Sequence, residues 1–413
     1  MLARRRLRML RSSFVHDKEQ PADDPQTRFI EAAIWHGTLE RAEAILAAHP
    51  EIASSDIHTA AVLGDDVAVR RFVALDAASA TATSPPYGGD ALVYLCLSKY
   101  LRLDRARSDG FLRAAMALID AGANPNSGFW TKGTYPELET ALYGAAGVAH
   151  HAEMTRLLLE RGADPNDGEA VYHSPETRDN AALKLLVETG KLTAENLALM
   201  LIRKHDWHDY EGAKYLLEHG ADPNYKRDRG WFAIHHAIAR DNNLDIIDLL
   251  LDHGADPTLS NDSKSAVAMA ARRGRGDLLA LFERRGIPIE LDGVEHLIAA
   301  CARNDAAGVR SIAEREPQLV GELVAEGGKL LAEFAGTANT AGVGHQVVRL
   351  VSAGGEPSGE AVQPIFMRVK QGGEPLASVI ARPVADRESE HRLSAHTFID
   401  VPRPDYFECR SNG

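Results

Sequence analysis

The side chains best able to do chemistry are few and scattered. His205 and His208 stand at i and i+3, a spacing at which two imidazoles on one helix face can share a zinc ion. Zinc needs a third and usually a fourth ligand, and none is evident in the sequence. The segment 205–209 therefore reads as a turn between two helices. His150 and His151 read as an exposed, idle inter-helix turn. Cys96, Cys301 and Cys409 lie far apart, which excludes a disulfide framework or a cysteine zinc motif and fits a reducing compartment. Cys96 and Cys301 sit in apolar stretches and read as small core residues. Gly342-Val343-Gly344 lacks the third glycine and the Lys-Ser/Thr of a phosphate cradle. Neither a G-x-S-x-G elbow nor an H-E-x-x-H helix occurs. No catalytic, cofactor-binding or metal-ligating residue is assigned, no cofactor is expected, and the chain is expected not to be an enzyme.

Composition narrows the partners. The chain has 413 residues, 45% hydrophobic and 25% charged, with a net charge of −13. So acidic a protein repels a phosphate backbone, and nucleic acid is not an expected partner. No apolar run approaches the roughly 18 residues needed to cross a bilayer. Residues 1–16 hold five arginines and no acid, with Ala3, Leu7, Leu10 and Phe14 at helical spacing. A membrane-surface or targeting helix would look like this; an unstructured leader is the alternative.

What must position any site is a recurring phrase. Leu118–Asn126 reads LIDAGANPN, Leu158–Asn166 LLERGADPN, Tyr215–Asn224 YLLEHGADPN and Leu250–Thr258 LLDHGADPT. The interval between Gly162 and Gly220 holds a degenerate copy ending at Gly190, and weaker copies end at Gly286 and Gly354. Two more precede the first, over 38–50 and 65–76. Within each unit an Ala-rich segment such as 140–146 leads through a turn to an amphipathic one such as 153–161. Glycine fits the C′ position of the second helix, and Asp-Pro or Asn-Pro begins a turn. A helix–turn–helix this small cannot bury its own apolar face, so neighbouring units must supply the core.

These phrases, the period near 33 and the segment FAIHHA at 232–237 resemble ankyrin repeats. Ile234, His235 and Ala237 match the Leu, His and Ala of the family's T-P-L-H-x-A signature, as do Ile57, His58 and Ala60, while Tyr143 and Tyr172 replace the histidine. The resemblance runs over 27–355 and is strongest from 111 to 286. It implies an all-α solenoid of about ten helix-turn-helix units with a concave face. It also implies a structural role for His235, hydrogen-bonded to neighbouring loops. The expected layout is a basic leader at 1–26, the solenoid at 27–355 with an insert at 77–110, and a flexible tail at 356–413. That tail is rich in proline and glycine and could be a frame-shifted remnant of further repeats. Within the insert, 92–103 reads as one elongated first helix.

The family usually binds proteins, so the expectation is a cytoplasmic, monomeric scaffold that holds an unknown protein partner against its concave face and loop fingers. The other readings are a membrane-surface adaptor anchored by the Arg-rich segment and a histidine-based metal protein. Phe129, Trp130 and Tyr135 lie on the long loop 124–139, and Tyr225, Arg227 and Trp231 on another. Such residue types dominate interface energetics, and these six are the candidate partner-binding residues. Packing between adjacent fingers is the competing explanation for the rings. Lys226, Arg227 and Arg229 add a local basic spot suited to an acidic segment of a partner.

Overall fold

The computed structural model describes residues 24–134, 136–226, 232–261 and 264–325. The Arg-rich segment 1–16 and the tail 356–413 lie outside these residues. The described chain is helical apart from three two-stranded hairpins and one isolated bridge. No helix in it is long and apolar enough to cross a membrane. The described chain falls into two compact units that divide between Asp222 and Pro223.

In the first unit, short helices stack in sequence. Ile57–Leu63 packs on Ala91–Cys96, which packs on Ala141–Tyr143, then Gly168–His173 and Ala194–Asp206 follow. A second row runs from Asp66–Leu75 through Ser108–Asp120 and Ala152–Glu160 to Ala181–Glu188. In the second unit Ala233–Ala239, Ala266–Arg272 and Val294–Ala302 form one row, Leu244–Asp252 and Gly276–Arg284 the other. Helix starts are capped as their sequences dictate: Asp56, Asp65, Asp90, Asp167, Thr193, Asp209, Asn243 and Ser265 each accept a backbone N–H from their helix's first turn.

Among the described residues the expected C′ glycines adopt positive φ, including Gly122 (107°), Gly162 (96°), Gly220 (94°) and Gly254 (83°), and Gly354 lies outside those residues. A side chain at Gly162 would meet nothing within 4 Å, so backbone conformation rather than space demands glycine there. Gly144 is the opposite case. A Cβ at that position would lie 2.6 Å from the Cys96 carbonyl carbon, so its helix could not come so close to the neighbouring backbone.

The asparagine that ends each phrase joins it to the next turn. Asn126 Nδ2 donates to Gly162 O (2.9 Å), while its Oδ1 accepts from the Asp164 N–H (2.7 Å). Asn166 spans Lys191 O and the Thr193 N–H in the same way, and Asn224 spans Gly254 O and the Asp256 N–H. Thr258 occupies the fourth position and, among the described residues, bonds to Asp256 of its own turn. Two residues after the following glycine stands Pro288, which has no N–H for an asparagine to accept.

Four expectations need correction. Residues 92–103 are not one helix: Ala91–Cys96 ends, and Lys99–Leu103 begins anew. Ser98 interrupts them because its hydroxyl donates to Val62 O (2.6 Å) and caps the second piece, while its backbone bridges Ile34. The loop 124–139 is largely a hairpin, Gly128–Trp130 paired with Leu138–Thr140. His151 is not an exposed turn residue but 2% exposed; Nδ1 caps Ala152–Glu160 and Nε2 meets Ser108 Oγ at 3.0 Å. His205 lies in the last turn of Ala194–Asp206 and is buried; only His208 stands in the turn, exposed at a φ of 48°.

The bridges carry a stability prediction. Asn166→Ala and Asn224→Ala, each removing one donor and one acceptor, should lower stability by about 1–2 kcal/mol in urea unfolding. Thr258→Asn should change it by less than about 0.5 kcal/mol, because one of its two potential partners is a proline.

Candidate functional site

The finger of 124–140 has two unlike faces. Pairing sets Gly128 against Thr140, Phe129 against Glu139 and Trp130 against Leu138. Side chains alternate along a strand, so Phe129 and Glu139 share one face and Trp130 and Leu138 the other. Phe129 is 4% exposed and Trp130 is 62% exposed. Asn126 ties the base of the finger to the next turn, and Thr140 Oγ1 bonds to Asp167.

The inward face holds an aromatic cluster. Phe129 stacks on Tyr87 (centroids 5.1 Å apart) and meets Trp35 edge-on at 5.6 Å, with Tyr94 tilted against it at 6.0 Å. Tyr94 Oη donates to Ser84 O (2.6 Å) and accepts the Tyr87 and Gly89 N–H groups, which fixes the preceding hairpin. Where the family signature places its histidine, His58 Nε2 donates to Ala82 O (2.9 Å) and His235 Nε2 to Lys264 O (3.2 Å). These bonds tie first helices to finger backbones, as expected of that position.

Beside the rings lies a group of titratable side chains. Glu139 is 6% exposed; it accepts the Trp35 indole N–H, and its Oε2 is buried with no hydrogen-bond partner. Burial first, then the facing carboxylates Glu169 and Glu137, push its carboxyl up to about 7, against the pull of Trp35 and His173. On the adjoining helix and turn, His173 Nε2 lies 3.3 Å from Glu169 and Nδ1 3.0 Å from Glu176. Burial would lower this imidazole, but the two glutamates outweigh it and raise it to about 9. Arg203 completes the set, paired with Glu176 and Asp206 and lying over the Tyr172 ring at 4.1 Å. The group can hold or release a proton near neutral pH. The Cys96 and Cys301 thiols are pushed up by burial, Cys301 to about 12. Among the described residues no three His, Cys, Asp or Glu side chains are grouped to hold a metal ion.

The six candidate contacts therefore fare differently. Phe129 is core, because the strand's alternation turns it inward onto Tyr87 and Trp35. Trp130 projects outward from the same hairpin. Tyr225 is half-buried in the second unit, where neighbouring Lys226 lies 5.5 Å from the Phe232 ring centre. Tyr135, Arg227 and Trp231 lie outside the described residues. Trp35, Glu139 and His173 escaped the sequence reading. A signal existed for the last: Glu169, His173 and Glu176 follow the i, i+4, i+7 spacing of a helix face.

Linkage gives two pH windows. Glu139 takes up a proton on folding, so its contribution to stability falls as pH rises from about 4.5 to about 7. His173, raised on folding, stabilises fully below about 6.5 and loses that contribution as pH rises through about 9. Glu139→Gln should abolish only the first window. In urea unfolding it should match wild type near pH 4 and exceed it by about 1–3 kcal/mol at pH 8.

Two stretches match family models: residues 137–168 that of the ankyrin repeat, and residues 175–261 that of ankyrin repeats in three copies. No match is found among curated proteins. Among solved structures, the human ASB11 ankyrin repeat domain is similar at 22% identity, covering 52% of this chain and 90% of that one, with a TM-score of 0.41. The ankyrin repeat domain of Bcl-3, a member of the IkappaB family, is 22% identical over 57% of this chain and 87% of its own, with a TM-score of 0.37. With helix pairs closed by left-handed glycines and a signature histidine bonded to the next finger, the repeated phrase is built as the family's is, and residues 137–168 and 175–261 of the chain are ankyrin repeats.

Proposed function

We propose that the chain is a non-catalytic scaffold that binds a partner protein, with the outward face of the 124–140 finger at the centre of the contact. Ankyrin repeats are generally protein–protein interaction modules. One observation carries the location: Trp130 is 62% exposed on a hairpin anchored from its other face by Phe129. Leu138 stands opposite it and is also exposed, so an exposed apolar pair sits at a rigid point. A tryptophan fixed in this way loses little conformational freedom on binding, which makes it an economical interface anchor. In this reading Tyr135, Tyr225, Arg227 and Trp231 make further contacts with the partner. The protein acts in the cytoplasm as a monomer.

The two neighbouring rings separate binding from folding. Trp130→Ala should leave the unfolding midpoint within about 0.5 kcal/mol of wild type and weaken partner capture from host lysate by at least about tenfold. Phe129→Ala should instead cost about 3–5 kcal/mol of stability. Capture undiminished by Trp130→Ala would move the interface off this finger.

A further inference from the structure

We infer that Lys99 and Arg102 form a receptor for an oxyanion carried by the partner protein, at the turn of residues 35–37. The partner part rests on the scaffold reading above; the oxyanion part stands on the geometry that follows.

Lys99 and Arg102 occupy i and i+3 of the short helix Lys99–Leu103 and converge on one piece of backbone. Lys99 is 9% exposed and donates from Nζ to Ala32 O at 2.7 Å. Arg102 Nη2 donates to Gly37 O at 2.6 Å. A side chain at Gly37 would stand 3.7 Å from Lys99 Nζ, so the ammonium and the guanidinium meet at this turn. The absence of a side chain there leaves the backbone open to close approach.

Neither cation has a counter-charge among the described residues. The charged groups acting on Lys99 are Arg102 and Arg41, both of its own sign, and both Lys99 and Arg102 act on His36 of the same turn. Three other arginines withdrawn from water are matched: Arg203 by Glu176 and Asp206, Arg272 by Glu295, Arg275 by Asp241 and Asp277. In a chain of net charge −13, a pair of like charges drawn from water with no counter-charge among the described residues is an exception. Donors also remain unused. Lys99 has spent one of three ammonium protons, and Arg102 Nε is buried with no acceptor. A cationic ligand would be repelled and an apolar one would leave these donors unpaired. A carboxylate or phosphate, with several acceptor oxygens and the opposite charge, satisfies both.

The test follows the Arg102 Nε–H resonance of the full chain, a buried N–H that serves as a local reporter. The probes are N-acetylphosphoserine methylamide, N-acetylglutamate methylamide, and sodium chloride at matched ionic strength. The expected result is a saturable shift with at least one of the first two, half-complete at about 1–10 mM, and no such shift with chloride. Thermal stabilisation by the same probe should weaken at least about tenfold in its concentration dependence in Lys99→Gln and in Arg102→Gln. Tighter binding of the phosphoserine probe assigns a phosphorylated partner; equal or tighter binding of the glutamate probe assigns an acidic one. No saturable shift up to about 50 mM, an equal response to chloride, or retention of binding in both variants would overturn the inference. None of these readouts depends on Trp130, so this site and the finger interface can fail separately.

Discussion

Everything in this chain depends on the fact that one pair of short helices cannot bury its own apolar face. Helices such as Ala152–Glu160 and Gly168–His173 are nine and six residues long, below the length at which a helix holds itself together in water. Their apolar stripes become a core only when successive pairs lie side by side, so the turn that sets the spacing between pairs is the decisive local structure. The asparagine bridge performs that task. By engaging both a carbonyl and an N–H of the next turn, Asn126, Asn166 and Asn224 fix the distance between consecutive pairs and satisfy backbone groups that no helix or sheet could reach.

That same requirement explains how much of the fold was legible. The phrase repeats because its parts do local jobs. Glycine supplies a left-handed residue, Asp or Asn closes the turn on itself, proline stops the helix, and the last asparagine reaches across. Each job constrains a residue type at a fixed position, which is what a sequence can display. The break at Ser98 was illegible for the opposite reason. Its hydroxyl is recruited by Val62 and its backbone by Ile34, residues 36 and 64 positions away, and nothing in LVYLCLSKYLRL announces those partners. His151 was misjudged likewise, since its ring is fixed by Ser108 on another helix.

The finger's two faces mark a different limit. Phe129 and Trp130 are adjacent aromatics, and composition alone gives them the same prospects. Their fates diverge because the three-residue strands pair in one register, which turns Phe129 and Glu139 inward and Trp130 and Leu138 outward. A slip of one residue would exchange the two sets. Three residues are too few to show an alternation, so the distinction between a core ring and an exposed one exists only at the level of strand pairing. Glu139 follows from the same register. Its burial is the consequence of standing opposite Phe129, and its unpaired oxygen and raised carboxyl follow from that burial.

Charge is distributed on the same logic of local compensation. Where a cation is drawn out of water in the stack, the chain elsewhere supplies carboxylates from the same turn or the next pair, as Arg275 finds Asp277 two residues on and Asp241 in the preceding turn. Lys204 is fully buried and is matched by Asp209 at 2.7 Å. Lys99 and Arg102 stand on the one helix that the Ser98 interruption adds, outside the repeated plan. No equivalent position in a neighbouring pair brings them a carboxylate, so they meet carbonyl oxygens of the 32–37 segment instead. The departure from the repeat and the departure from charge matching thus have one origin. An interaction scaffold acquires a distinctive surface where its units stop being alike.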